Sequence, residues 1–175
     1  NNKFILILSV VSLMFLCIGA VSANDLNDTQ SDFDDLAGEI NTTAENQILT
    51  LEKDYKFTNT TQKHIVIDKA ITIDGDNHQI EAPDVSRVFF VKADNVIIKN
   101  INFVNAKSAA LAGGVISWLG NNGSLINWNF TNNSAASAGG AVLWKGDNGI
   151  ISNCSFQNNT VKTAADVSLT YEEGY

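Results

Sequence analysis

Along most of this chain apolar residues alternate with polar ones over short runs that Gly and Asn interrupt, a pattern that predicts strands and leaves no helical stretch inside them. The runs recur. Residues 113 to 133 laid over residues 139 to 159, a constant shift of 26, match at ten of 21 positions, among them Gly114/Gly140, Trp118/Trp144, Gly123/Gly149, Asn127/Asn153 and Phe130/Phe156. A shift of 27 aligns an earlier copy, pairing Val91 with Trp118, Asn100 with Asn127 and Phe103 with Phe130. A looser copy puts Ile71 and Ile73 over Val96 and Ile98, making about four copies.

Within a copy the parity predicts which side faces the core. Phe89, Ile116 and Val142 share one parity with Val91, Trp118 and Trp144, while Lys92, Leu119 and Lys145 hold the other and are expected to face water. In the next run Ile98, Leu125 and Ile151 point inward, then the phase slips at Asn100, Asn127 and Asn153. Inward alternation resumes at Ile101, Trp128 and Cys154 and at Phe103, Phe130 and Phe156. A slip of phase needs a residue that tolerates the left-handed region, which Asn does. Repeated at one corner, Asn100, Asn127 and Asn153 are expected to form a buried ladder, with Phe103, Phe130 and Phe156 stacked beside it. The Gly pairs make a second corner. Units of about 26 residues with two or three short strands cannot bury their faces alone and must stack. The predicted fold is therefore all-β, a parallel β-helix of about four coils over residues 47 to 175.

Residues 24 to 46 break the pattern. They carry seven acids and no Lys or Arg, against ten basic and twelve acidic residues from 47 onward. Ser31-Asp32-Phe33-Asp34 resembles a capping box, and Phe33, Leu36 and Ile40 recur at helical spacing. Two readings stand for this segment, a short amphipathic helix that caps the first end of the stack or a solvated acidic linker. Before it, Lys3 and the mostly apolar residues Phe4 to Val21, ending at Val21-Ser22-Ala23, read as a signal peptide over residues 1 to 23 cleaved between Ala23 and Asn24. An uncleaved membrane anchor is the alternative, since 18 apolar residues just reach spanning length. At the other end Asp166 to Thr170 looks like the opening strand of another coil, and the chain is expected to be a fragment.

The chain has 175 residues, 22 of them Asn, one Pro and two Cys. With Cys17 in the leader, Cys154 has no partner for an internal disulfide and is expected to be a buried apolar residue. Net charge is −8, the wrong sign for gripping a phosphate backbone, so nucleic acid is not an expected partner.

Gly-Gly-(Val/Ala)-(Ile/Val) at Gly113 to Ile116 and Gly139 to Val142, each followed by Phe-x-x-Asn at Phe130 to Asn133 and Phe156 to Asn159, resembles the repeat of the chlamydial polymorphic outer-membrane proteins. The Asn and Thr richness, with Ile71 to Gly75 leading to Val96 to Phe103, is similar to the adhesin-like surface proteins of methanogenic archaea. Across residues 31 to 170 the resemblance implies an exported right-handed β-helix at the cell surface that binds surfaces or glycans, with no active site to carry over.

Parallel β-helices also serve as polysaccharide lyases and hydrolases, which gather carboxylates or calcium-binding acids in one outward groove. Here Asp74 and Asp76 flank Gly75, but Lys99, Ile126 and Ser152 follow in that column and no acidic column forms. Asp74 to Asn77 reads as a turn rather than a calcium loop, and His64 and His78 lack a third ligand at metal spacing. No cofactor or metal is expected. Trp118 and Trp144 are either a sugar-stacking stripe or core, and their parity favours core. Asn27, Asn41, Asn59, Asn122, Asn129, Asn132 and Asn158 begin glycan-acceptor triplets; Asn153 begins one too, but its corner is expected to be buried. The function expected is an exported, non-enzymatic adhesin whose partner is an extracellular surface or glycan. Contact with a membrane is expected only through the leader or a C-terminal anchor. A carbohydrate-active enzyme and a passive coat are the alternatives.

Overall fold

The computed structural model describes residues 30–58, 64–83, 87–108, 114–161 and 167–169. After the two-residue strand β1 (Gln30–Ser31) comes a helix, α1 (Phe33–Thr42), and from there every regular element among the described residues is a strand. The chain winds through β2 (Ile48–Thr50), β3 (Asp54–Lys56) and β4 (Ile65–Ile67) in a first turn, and through β5 (Thr72–Asp74), β6 (Gln79–Glu81) and β7 (Phe89–Val91) in a second. A third turn comprises β8 (Ile97–Val104), β9 (Lys107–Ser108) and β10 (Ile116–Trp118), and a fourth β11 (Ser124–Thr131), β12 (Ser134–Ala135) and β13 (Val142–Trp144). Then β14 (Ile150–Ser152), β15 (Ser155–Gln157), β16 (Thr160–Val161) and β17 (Val167–Leu169) stack on the fourth.

All pairing is parallel and falls into three sheets of nine, five and three strands. This is a parallel β-solenoid of about four turns. Like residues sit over like: Phe89, Ile116 and Val142 share a level, as do Phe103, Phe130 and Phe156. The shift between partners is 26 from β10 to β13 and 27 from β8 to β11, as the sequence alignment requires. Earlier turns are shorter, with Ile65 over Phe89 and Ile48 over Thr72, which is why the sequence signal fades there.

One corner shows how a turn changes length without losing register. Asp74 pairs with Lys99 but Gln79 pairs with Asn102, so four residues, Gly75 to His78, stand where the next turn has Asn100 and Ile101. Asp76 and Asn77 both take positive φ in this longer corner, whereas Asn100, Asn127 and Asn153 each turn their coil alone at φ between 53° and 59°. A single left-handed residue shifts the alternation by one, and Asn bears that conformation at little cost. Gly75 is required by proximity: a Cβ there would lie 2.2 Å from Ile101 Cγ1 and 2.4 Å from the Asn100 carbonyl oxygen. At another corner Gly139 takes φ 60°, while Gly113 of the earlier pair lies outside the described residues.

Inside the solenoid the side chains make one continuous core. Ile98, Ile101, Phe103, Trp118, Leu125, Trp128 and Phe130 are all essentially inaccessible. Phe130 stacks on Phe103 with centroids 5.9 Å apart and on Phe156 at 4.9 Å, and Trp118 stacks on Trp144 at 4.3 Å. Each indole rests on a glycine of its own turn, since a Cβ on Gly123 or Gly149 would come within 2.4 Å of Trp118 or Trp144. The tryptophans are therefore core, and the repeated glycines are their seats.

Helix α1 covers the first end of this core, burying Phe33, Leu36, Ala37 and Ile40; Phe33 meets Phe57 edge to face at 5.7 Å. The segment is thus not a bare linker. Its N-cap is Asp32 rather than Ser31: Asp32 Oδ1 accepts from the Asp34 and Asp35 N–H groups at 2.9 and 3.1 Å, while the Ser31 hydroxyl donates to Asp35. A carboxylate at this place serves two orphan donors and complements the helix dipole, so it displaces the serine by one position. Tyr55 latches the cap by donating to Glu39 Oε2 at 2.6 Å, and its burial beside that carboxylate pushes the phenol far above its ordinary range.

Candidate binding surfaces

The outward face of the nine-stranded sheet is polar and its columns are mixed. Thr50, Asp74, Lys99, Ile126 and Ser152 follow one another at one position, and Gln79, Asn102, Asn129 and Ser155 at another. Asparagines repeat on the outside and bond from turn to turn. Asn127 Nδ2 donates to Asn100 Oδ1 at 3.0 Å, and Asn100 Nδ2 donates to Asp74 Oδ1 at 2.8 Å. Beside that column, Asn129 Nδ2 donates to Asn102 Oδ1 at 2.8 Å, and Asn102 Nδ2 to the Asn77 carbonyl at 2.9 Å. At the next corner Asn148 Nδ2 donates to Asn122 Oδ1 at 3.2 Å.

The corner occupied by Asn100, Asn127 and Asn153 is on the surface, with Asn127 and Asn153 exposed, which corrects the expectation that it is buried. The chain bends around the core at this residue, and with Ile98 and Ile101 both inward, the side chain of the bending residue is left on the convex side. Asn153 is consequently as accessible as Asn122, Asn129, Asn132 and Asn158. Asn41 is also exposed, at the end of α1. The carboxamides of Asn122 and Asn129 are engaged in the columns described above, so a glycan on Asn129 would sit on a nitrogen that already donates to Asn102. Asn27, Asn59 and the Ala23–Asn24 junction lie outside the described residues.

The buried asparagine ladder is a different one, and parity reasoning passed over it. Asn133 and Asn159, the last residues of the two Phe-x-x-Asn motifs, are inaccessible or nearly so. Asn133 Oδ1 accepts from the Ala106 N–H at 2.9 Å, and Asn159 Oδ1 accepts from both the N–H and the Nδ2 of Asn133 at 3.0 and 2.9 Å. Asn159 Nδ2 donates to the Phe130 carbonyl at 3.0 Å. Each carboxamide satisfies a backbone N–H one turn earlier, at a place where the coil leaves one sheet for the next and ladder bonds are interrupted. The signal was in the repeat itself, because both copies keep this Asn and Ala106 stands in its place in the copy before.

Asp74, one of the two carboxylates weighed for a catalytic groove, is fully engaged. Its Oδ1 accepts from Asn100 and from the Asp76 N–H, and Oδ2 pairs with Lys99 Nζ at 2.8 Å. Partial burial opposes its charge, but the hydrogen bonds from Lys99, Asn100 and the Asp76 backbone outweigh that and hold the carboxyl below its usual range. A general acid needs the opposite shift. Asp74 to Asn77 is a turn, and no group of three His, Cys, Asp or Glu with metal-holding geometry occurs among the described residues. His78 is half-buried and bonded to Asp54 Oδ1 at 3.0 Å. Cys154 is half-buried, and burial pushes its thiol upward, away from the reactive thiolate. No helix among the described residues is long and apolar enough to cross a membrane.

Compared with known protein families, curated proteins and solved structures, the chain matches none of them.

Proposed function

We propose that this chain is an exported, adhesin-like repeat protein of the cell surface, which holds glycans or other hydroxyl-rich surfaces through its asparagine columns and carries out no catalysis. One observation carries the reading: carboxamides repeat on the outside, at Asn100/Asn127, Asn102/Asn129 and Asn122/Asn148, linked turn to turn. A carboxamide offers both a donor and an acceptor, which suits sugar hydroxyls. Successive turns set such groups roughly 4.8 Å apart, close to the length of a sugar unit, so a weak contact recurs and gains through effective concentration. The Asp74 carboxylate, tied to Lys99 and held ionised, supports binding over hydrolysis or lyase chemistry.

The test is a glycan array read beside a panel of acidic polysaccharides assayed for cleavage. Deleting residues 113–138 takes out one level in register, because β10 and β13 pair at a shift of 26, as do β11 and β14. That variant is expected to keep its fold and to lose avidity by a step. Turnover of any polysaccharide would overturn the proposal in favour of an enzyme. Absence of all binding would leave the passive coat. Loss of all binding on Asp74→Ala, with the fold intact, would replace the columns with a discrete site.

A further inference from the structure

The five-stranded sheet, on a different side of the solenoid, has a column of its own, Val66, Phe90, Ser117 and Leu143, at one level of strand after strand, in which Val66 and Phe90 are half-buried and Ser117 and Leu143 buried. Around Phe90 this surface gathers three basic side chains, while Asp68, which follows Ile67 and stands level with Lys92, forms no ion pair with it. The Arg87 guanidinium carbon lies 4.9 Å and the Lys92 ammonium 5.0 Å from the ring centroid, and the His64 ring meets Phe90 edge to face at 6.0 Å. The ion pairs among the described residues, Lys56–Glu81, His78–Asp54 and Lys99–Asp74, all belong to the nine-stranded sheet and its turns. Arg87 Nε is buried without a hydrogen-bond partner.

We propose that Arg87, Lys92 and His64, gathered on the ring of Phe90, form a binding site for the carboxylate of an acidic saccharide. The aromatic ring draws both cations to itself, a contact that strengthens as water is excluded. Like charges gathered on one ring repel, and an anion bound among them relieves the repulsion and gives the guanidinium of Arg87, whose Nε has no partner, an acceptor for its terminal N–H groups. His64 reports the same field: burial, then Arg87 and Lys92, hold its imidazole below the ordinary range, and among the described residues those two are the charged groups that act on it.

The occupant follows from charge on two scales. With net charge −8 the molecule repels densely charged partners, a duplex with one phosphate per ~1.7 Å or an anionic bilayer, at long range. A saccharide chain with at most one carboxylate per sugar meets less repulsion and satisfies the local cluster. This site does not rest on the asparagine columns, which lie on the other sheet and its corners.

Binding of tri-galacturonate to the whole chain, followed by calorimetry beside its neutral methyl ester, tests the proposal. The acid is expected to bind at least tenfold more tightly than the ester. Lys92→Gln, at an exposed position that leaves folding intact, should weaken the acid several-fold, and Arg87→Gln with Lys92→Gln by tenfold or more. Neutral-glycan binding in that double variant is expected to persist. In NMR titration the His64 imidazole should gain basicity when the acid binds. Equal binding of acid and ester, no binding of either, or an unchanged affinity in the well-folded Lys92→Gln variant would overturn the site. So would binding confined to phosphatidylglycerol vesicles or to a single-stranded oligonucleotide.

Discussion

Replacing Asn133 by Ala removes the middle of the buried ladder, and the loss can be estimated bond by bond. The Ala106 N–H keeps no acceptor in a place without water, which costs about 1–3 kcal/mol, and the bond from Asn133 Nδ2 to Asn159 adds about 1 kcal/mol. The expected total is about 2–4 kcal/mol. Asn129→Ala is the matched control, because it also deletes a carboxamide bonded to the previous turn, but one at the surface where water takes over; it should cost under about 1 kcal/mol. With a urea slope of about 2 kcal/mol/M, Asn133→Ala lowers the midpoint by roughly 1–2 M and Asn129→Ala by less than about 0.5 M. Asn133→Asp separates shape from hydrogen bonding. It is isosteric, and one oxygen still accepts from Ala106, but the other now faces the Asn159 oxygen and carries buried charge, so it should be at least as damaging as Ala. Urea melts followed by far-ultraviolet circular dichroism read all three. If the Asn133→Ala and Asn129→Ala midpoints agree within about 0.3 M, the ladder is not a principal support of this corner and the reasoning fails.

Gly123→Ala is expected to destabilise by several kcal/mol, since its Cβ would meet an indole already stacked on Trp144, whereas Gly38→Ala in α1 meets nothing within 4 Å and should stabilise by up to about 1 kcal/mol; thermal melts in which both move the same way would refute this. The depressed Asp74 and Glu81 carboxyls lend stability that is present above their unfolded values of about 4 and is lost as pH falls through their lower folded ones, so stability should drop below about pH 4. Asp74→Asn should flatten that drop, and denaturation midpoints with the same acid slope as the parent would show that its ties to Lys99 and Asn100 contribute nothing.

The amino-acid order by itself determined the repeat, its period near 26, the inward parity of each strand, the left-handed corners at Asn100, Asn127 and Asn153, the stacked phenylalanines and the apolar stripe of the cap. Each of these is either local or copied from turn to turn, and copying makes a local preference legible. Tertiary structure alone decided which way the corner asparagines point, because alternation loses its meaning at the residue where the phase slips. It decided that the buried ladder runs through Asn133 and Asn159, whose burial depends on how the coil passes between sheets. It placed the cap one residue later than the box pattern suggests, on the carboxylate that serves two N–H groups. The gathering of His64, Arg87 and Lys92 on Phe90 is likewise invisible in the order of residues. His64 reaches that ring only because β4 stacks on β7 at a shift of 24, a spacing that the insertions of the early turns hide from any constant repeat.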